Sequence, residues 1–327
     1  MTILNRLILI PLFLICAINV SGCNSGSASD KNWTPETDGV LAAGLSNTGR
    51  YVLLGTDSGK ANLWELGKKK KPTLLHSWQH QEAGKGGIIA AALSNNDKFA
   101  LTAEVDSLAW WDVKSGKVLG YWKLKGIKSI ALSKDGQYAI LGLRDYAQFF
   151  SLKKSKAVFT FKHPDFVKAV AISDDKRYAI TGSDNAEARL WSLKSGKLKH
   201  TWKYKTKLYS VALSPDGKLA MTNAVLGETK IWKTKSGKLM HKIPPKRVTI
   251  SAAAFDSKGK KLVAGRVTQR IDLLSMKSGD SLKNWQPKKS GSWRPSSANI
   301  LAISFVDKDK KILSVTSNGI VQRWKVK

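Results

Sequence analysis

The chain repeats itself at a period of about forty residues, seven times over. Its clearest copies read VALSPDGKLAMTNAVLGETKIWKTKSGKLMHKI around Trp232 and VAISDDKRYAITGSDNAEARLWSLKSGKLKHTW around Trp191. A unit this short cannot bury a hydrophobic face alone, so the copies must stack on one another to build a continuous core.

Three registers define the unit. The first is a small or apolar run ending at Leu45, Leu93, Leu132, Ile172, Leu213, Phe255 and Phe305, followed by polar turn residues such as Ser-Pro-Asp-Gly. The second begins near Tyr51, Phe99, Tyr138, Tyr178, Leu219, Leu262 and Ile312. The third ends in a bulky residue at Trp64, Trp111, Phe150, Trp191, Trp232, Leu274 and Trp324. All three alternate in the manner of strands, and Asn, Asp, Gly and Ser bound them, so the spacing predicts antiparallel hairpins and few helices. A Lys-Ser-Gly-Lys turn at 114–117, 194–197 and 235–238 leads into a fourth run. That run ends at Trp78, Trp122, Phe161, Trp202, Ile243 and Trp285.

Four-stranded units repeated about an axis leave only short, protected sheet edges, which is the β-propeller solution. The expected fold is all-β, a seven-bladed propeller of four-stranded antiparallel blades. The chain here resembles the WD-repeat family, through the strand-turn pattern, the Trp ending the third strand, and Trp111-Asp112, which keeps the eponymous dipeptide. The resemblance covers residues 31–327. It implies that the outer strand is out of phase with the repeat, so that the two chain ends share one blade. The last copy stops at Lys327 without a fourth strand, and Ser-Asp-Lys-Asn-Trp-Thr-Pro around Trp33 echoes Ser-Leu-Lys-Asn-Trp-Gln-Pro around Trp285. Trp33 is therefore expected to supply the missing outer-strand aromatic.

The N-terminus obeys other rules. Residues 1–6 are short and basic, Leu7 to Ile18 is apolar, and Val20-Ser21-Gly22-Cys23 follows. A secretory signal has this layout, and the apolar stretch falls short of the twenty or so residues a spanning helix needs. The four residues ending at Cys23 resemble the lipobox of bacterial lipoproteins, which implies cleavage before Cys23 and lipid on its sulfur. Residues 1–22 are read as the signal and 23–30 as a flexible tether. Cys16 lies inside the signal, so the mature chain has no second thiol with which to form a disulfide. Multiple acyl chains make a durable anchor. In the Gram-negative pattern, Asn24 after the Cys resembles the class exported to the outer membrane, periplasmic face.

Fifty-five Lys and Arg against 24 Asp and Glu give a formal charge of +31. Such a field draws anions and anionic surfaces, with a reach of about 8 Å at physiological salt. Lysine dominates, which suits diffuse attraction better than bidentate reading of phosphates or bases, so nucleic acid is disfavoured. An anionic lipid or glycan is an alternative partner to an envelope protein. Many lysines fall in the turns, at 68–71, 153–156 and 308–311.

By family analogy those turns share one rim. The other rim would hold the connections between blades, with Lys205, Lys207, Lys246, Arg247, Lys288 and Lys289, joined by Arg144, Arg266 and Arg270 from hairpins. WD-repeat proteins often bind partners there. The connection from Trp285 to Phe305 is long and contains Trp293 and Arg294, an aromatic beside a guanidinium as binding hot spots favour. These two are the preferred contact residues. The resemblance further implies a stabilising network of His, Ser or Thr, Asp and Trp. Blade four alone comes close, with His163, Thr181 or Ser183, Asp184 or Asn185, and Trp191, and its Asp register is off by one.

Catalysis finds little support. The five histidines, His76, His80, His163, His200 and His241, show no helical metal pair. The Lys-Ser-Gly-Lys turn lacks the spacing and following helix of a phosphate loop, and no nucleophile elbow or carboxylate pair is present. No cofactor or metal is expected. A non-catalytic, monomeric interaction platform in the envelope is the leading reading, with a channel-centred metal- or cofactor-dependent enzyme as the remote one.

Overall fold

The computed structural model describes residues 28–36, 39–67, 71–80, 86–244, 247–288 and 299–327. They form seven four-stranded antiparallel sheets. Blade 1 is Val40–Leu45, Tyr51–Thr56, Lys60–Glu65 and Thr73–Gln79, from the axis outward, and blades 2 to 6 repeat it. Each innermost strand touches the innermost strands of the blades before and after it, and that of blade 7, Ile300–Val306, touches that of blade 1. The ring is closed. No helix occurs among the described residues, hence none long and apolar enough to cross a membrane.

Blade 7 takes its outer strand from the other end of the chain. Lys31–Trp33 pairs antiparallel with Val321–Lys325, with Lys31 opposite Arg323 and Trp33 opposite Val321. Asp30 adds an ion pair to Arg323 at 3.0 Å, and Gln322 Nε2 donates to Asn32 Oδ1 at 2.9 Å. The body of the propeller thus reaches back slightly beyond residue 31, since Ser29 Oγ also accepts from Gln322.

Alternation survives only in part. Tyr51–Thr56 is buried along its whole length, and the second strands of the other blades come close to this. The reason is packing on both faces: each blade is sandwiched between its neighbours, so a middle strand has no solvent side. Outer strands such as Leu198–Lys203 keep exposed faces.

Aromatic side chains join blade to blade. The outer-strand residue of one blade stacks on the third-strand residue of the next: Trp78 on Trp111 at 5.0 Å, Phe161 on Trp191 at 4.6 Å, and Trp202 on Trp232 at 4.8 Å. Trp285 meets Trp324 at 6.2 Å, and Trp33 shares a core cluster with Trp64 of blade 1. In blades 1 to 6 the pairing slips by one residue just before the third-strand bulky residue, a bulge that adds local twist.

The turn between third and fourth strands locks onto the previous blade. Gly116, Gly196 and Gly237 have φ of 72°, 69° and 71°, which a residue bearing a Cβ rarely adopts. His200 Nε2 donates to Thr234 O at 2.9 Å and Trp202 Nε1 to Gly237 O at 3.0 Å, so blade 4 grips the turn of blade 5. His76 and Trp78 do the same to Val113 and Gly116 of blade 2.

Candidate functional site

Strand direction sorts the surface into two rims. First-to-second and third-to-fourth strand turns lie on one, here the turn rim. Second-to-third hairpins and the links between blades lie on the other, the connection rim. Arg144 stands in the blade 3 hairpin, Lys205 and Lys207 in the link from blade 4 to 5, Arg247 in the next link, and Lys288 in the link to blade 7. All five sit on the connection rim, as do Arg266 and Arg270. Cys23, Lys246, Lys289, Trp293 and Arg294 lie outside the described residues.

The connection rim has two local centres. At blades 3 and 4, the Phe166 ring is flanked by Lys128 Nζ at 5.3 Å, Arg144 Cζ at 5.9 Å and Lys168 Nζ at 6.0 Å. Lys168 is tied to Asp184 at 2.7 Å, whereas among the described residues Lys128 and Arg144 face no carboxylate within ion-pair distance. The ring's negative face attracts these cations, an interaction of about 1 kcal/mol each when exposed. Lys128 and Lys168 also line a 470 Å³ cavity at the axial channel mouth, with Tyr209 and Leu41.

The second centre is a 650 Å³ cleft between blades 4 and 5, lined by Lys203, Tyr204, Lys205, Leu226, Lys230 and Arg247 among others. Tyr204 donates to or accepts from Thr222 Oγ1, and burial pushes its phenol up to about 12. Lys230 Nζ sits 4.5 Å from the Tyr204 ring and 2.8 Å from Glu228. Leu226, with φ of 45°, projects 67% exposed, and Arg247 has φ of 61°. Left-handed non-glycine residues cost about 1 kcal/mol or more, and their retention marks a segment whose shape is held by its surroundings. Among the described residues, Lys205 and Arg247 have no carboxylate partner.

Arg266 and Arg270 serve a different end. Their Nε atoms donate to Asp272 at 2.6 and 2.9 Å, and Asp272 is buried. Arg266 is only 15% exposed in its side chain. This pair of guanidiniums neutralises an interior carboxylate, leaving Arg270 as the one with surface to offer.

The opposite channel mouth is bridged by the turns themselves. Asn95 of blade 2 donates to Asp174 of blade 4 at 3.2 Å, and Lys134 of blade 3 approaches the same carboxylate at 3.7 Å. Burial raises the Asp174 carboxyl above its usual range, with Lys134 opposing. These residues line a 620 Å³ cavity.

In blade 4, His163 Nε2 and Trp191 Nε1 both meet Thr181 Oγ1, at 2.7 and 2.9 Å. Ser183 is not the joint; its Oγ donates to Asp165 O. Asp184 turns to Lys168, and His163 Nδ1 meets no acceptor among the described residues, so the chain of bonds is short of its fourth member. The expectation that no other blade comes close is corrected by blade 2. There His80 bonds Ser107 at 2.5 Å and Thr102 at 2.9 Å, Trp111 donates to Thr102 at 2.8 Å, and Ser107 donates to Glu104 at 3.1 Å. The sequence hid it because Glu104 stands for an Asp and an extended link separates His80 from its blade. Blade 5 uses Tyr204 where a His would stand, with Trp232 donating to Thr222 at 2.8 Å. Trp324 donates to Ser314 at 2.9 Å. In blade 1 Leu54 stands where those blades carry the hydroxyl, and Trp64 Nε1 has no partner among the described residues.

Sequence reasoning sought charge on this rim and missed Phe166, Tyr204, Tyr209 and Leu226. The available signal was an aromatic or aliphatic residue inside an otherwise polar link. Among the described residues, no three of His, Cys, Asp and Glu converge as a metal site requires.

Residues 155–192 match the family model described as WD domain, G-beta repeat. The matched stretch is the outer strand of blade 3 followed by three strands of blade 4, which is the phase offset that the closing strand of blade 7 completes. No curated protein matches the chain. The match and the seven-bladed ring together support a WD-repeat propeller. Such propellers typically act as non-catalytic scaffolds and generally bind other proteins.

Proposed function

We propose that this propeller is a membrane-anchored lipoprotein that serves as a non-catalytic platform for envelope proteins. Cys23 carries the lipid, the residues between it and Ser29 tether the body, and Asn24 directs it to the periplasmic face of the outer membrane. The observation that carries the platform reading is on the connection rim, where Lys128, Arg144, Lys205 and Arg247, free of carboxylates among the described residues, lie beside Phe166, Tyr204 and Leu226. Cations next to a partly exposed aromatic or aliphatic are the composition of an interface centre and ask for an acidic, apolar partner surface.

Two measurements test it. Membranes from cells carrying Cys23→Ser, washed at high salt, should release the protein that wild type retains; retention after the wash sinks the anchor. In-cell crosslinking with an Arg144→Ala, Lys205→Ala, Arg247→Ala variant should lose specific adducts formed by wild type, as should Trp293→Ala with Arg294→Ala if that loop shares the surface. An unchanged adduct set in the first variant removes the connection rim as the platform.

A further inference from the structure

The turn rim carries a second surface. Third-to-fourth strand turns at 114–117, 194–197 and 235–238 contribute two lysines each, and 153–154 two more, all exposed. None of these lysines has a carboxylate within ion-pair distance among the described residues. The first-to-second strand turns of the same rim are mixed. There Lys176 pairs with Asp135 at 2.6 Å, Lys218 with Asp216 at 3.0 Å and Lys311 with Asp307 at 2.9 Å. Lys98, Lys258, Lys260, Lys308 and Lys310 of these turns have no ion pair among the described residues, so charge near the axis is compensated in part, whereas these lysines of the outer circle are not compensated at all.

Apolar side chains follow the same circle. Of the large hydrophobics exposed among the described residues, Leu74, Val118, Leu119, Val158, Leu198, Leu239 and Leu282 all fall within the first three residues of an outer strand, directly after these turns. Val118 is 50% and Leu282 54% exposed. Six blades thus present an aliphatic group beneath a lysine-bearing edge. An acidic protein or a glycan would explain the lysines alone; lysines backed by a girdle of Leu and Val match a headgroup layer over acyl chains.

Chain direction supplies an independent argument. The closing strand runs from the turn rim toward the connection rim, and Lys31 Nζ donates to Gly67 O in the blade 1 turn. The described chain therefore enters blade 7 from the turn-rim side. It begins at Ala28, only a few residues after Cys23, and that interval has a covalent reach of no more than about 18 Å.

We propose that the outer circle of the turn rim docks on an anionic phospholipid surface, leaving the connection rim facing away for its partner. The orientation rests on the anchored-platform reading; the lipid affinity does not. Each lysine near an anionic surface contributes about 1 kcal/mol. Several acting together hold the disc against the bilayer, and the aliphatic girdle adds a component that salt does not screen.

The test uses the full chain with Cys23→Ser, so that no lipid is attached, and vesicles of phosphatidylcholine with or without phosphatidylglycerol. Binding should require phosphatidylglycerol. Lys194→Glu, Lys197→Glu, Lys235→Glu and Lys238→Glu together should weaken it by about a thousandfold, the loss that four lysines at this strength imply. The same charge change at Arg144, Lys203, Lys205 and Lys207 should weaken it far less, with both variants checked for unchanged melting. Equal losses from the two rims would reduce the effect to net charge and overturn the proposal, as would no loss from either or no binding at all. High-salt retention of the wild-type chain in cells reports the anchor separately, so the two readings can fail independently.

Discussion

His80 and His163 are buried imidazoles. Burial holds both down to about 4, with Arg189 adding to the effect on His163. The unfolded ring titrates near 6.5, so below that pH protons bind the unfolded chain in preference to the folded one. Stability is therefore complete above about pH 6.5 and falls as pH drops toward 4, by on the order of 3 kcal/mol per ring. Melting temperature measured between pH 7 and 5, above the range where most carboxylates titrate, should decline. A His80→Asn, His163→Asn variant, less stable at pH 7, should show a flatter profile; an identical slope would contradict the assignment. Blade 4's His163, Thr181 and Trp191 could be read in order along the sequence. Blade 2's set could not, because Glu104 and the long link after His80 disguise its spacing, and Tyr204 meets Thr222 through a contact that only packing creates.

Each third-to-fourth strand turn is shaped by the blade before it. A Cβ on Gly237 would lie 2.6 Å from His200 Nδ1, at a φ of 71°. Gly237→Ala should cost about 2 kcal/mol or more in urea unfolding, combining left-handed strain with the clash. His200→Ala placed in the same chain should recover the steric part, so the two substitutions should couple rather than add. Strict additivity would mean that the turn and the outer strand do not touch. The Lys-Ser-Gly-Lys signature identified these as turns. That their glycines also make room for a neighbour's aromatic ring, an imidazole at Gly116 and Gly237 and Phe159 at Gly196, depends on residues some forty positions upstream, and no local pattern records it.

Closure of the ring rests on a strand of three residues. Trp33 is 4% exposed, packs with Val52, Leu54, Val321 and Trp64, and receives Lys31 and Arg323 over its ring at 4.9 and 5.8 Å. Trp33→Ala should cost about 3–5 kcal/mol and release the seam first. Hydrogen exchange should then quicken in Lys31–Trp33 and Val321–Lys325 before it does in blades 3 to 5. Uniform quickening around the ring would show that the seam is no weaker than any other blade.

The seven copies, their strand order and the place of Trp33 were written in the sequence, because each unit carries its own turns and aromatics and a period needs no partner to be seen. What the sequence alone left undecided were the properties that arise between units. Folding determined which lysines are neutralised, which guanidiniums turn inward to Asp272, and which apolar side chains stay outside. Those outcomes follow from the distances between neighbouring blades, and such distances exist only once the ring has closed.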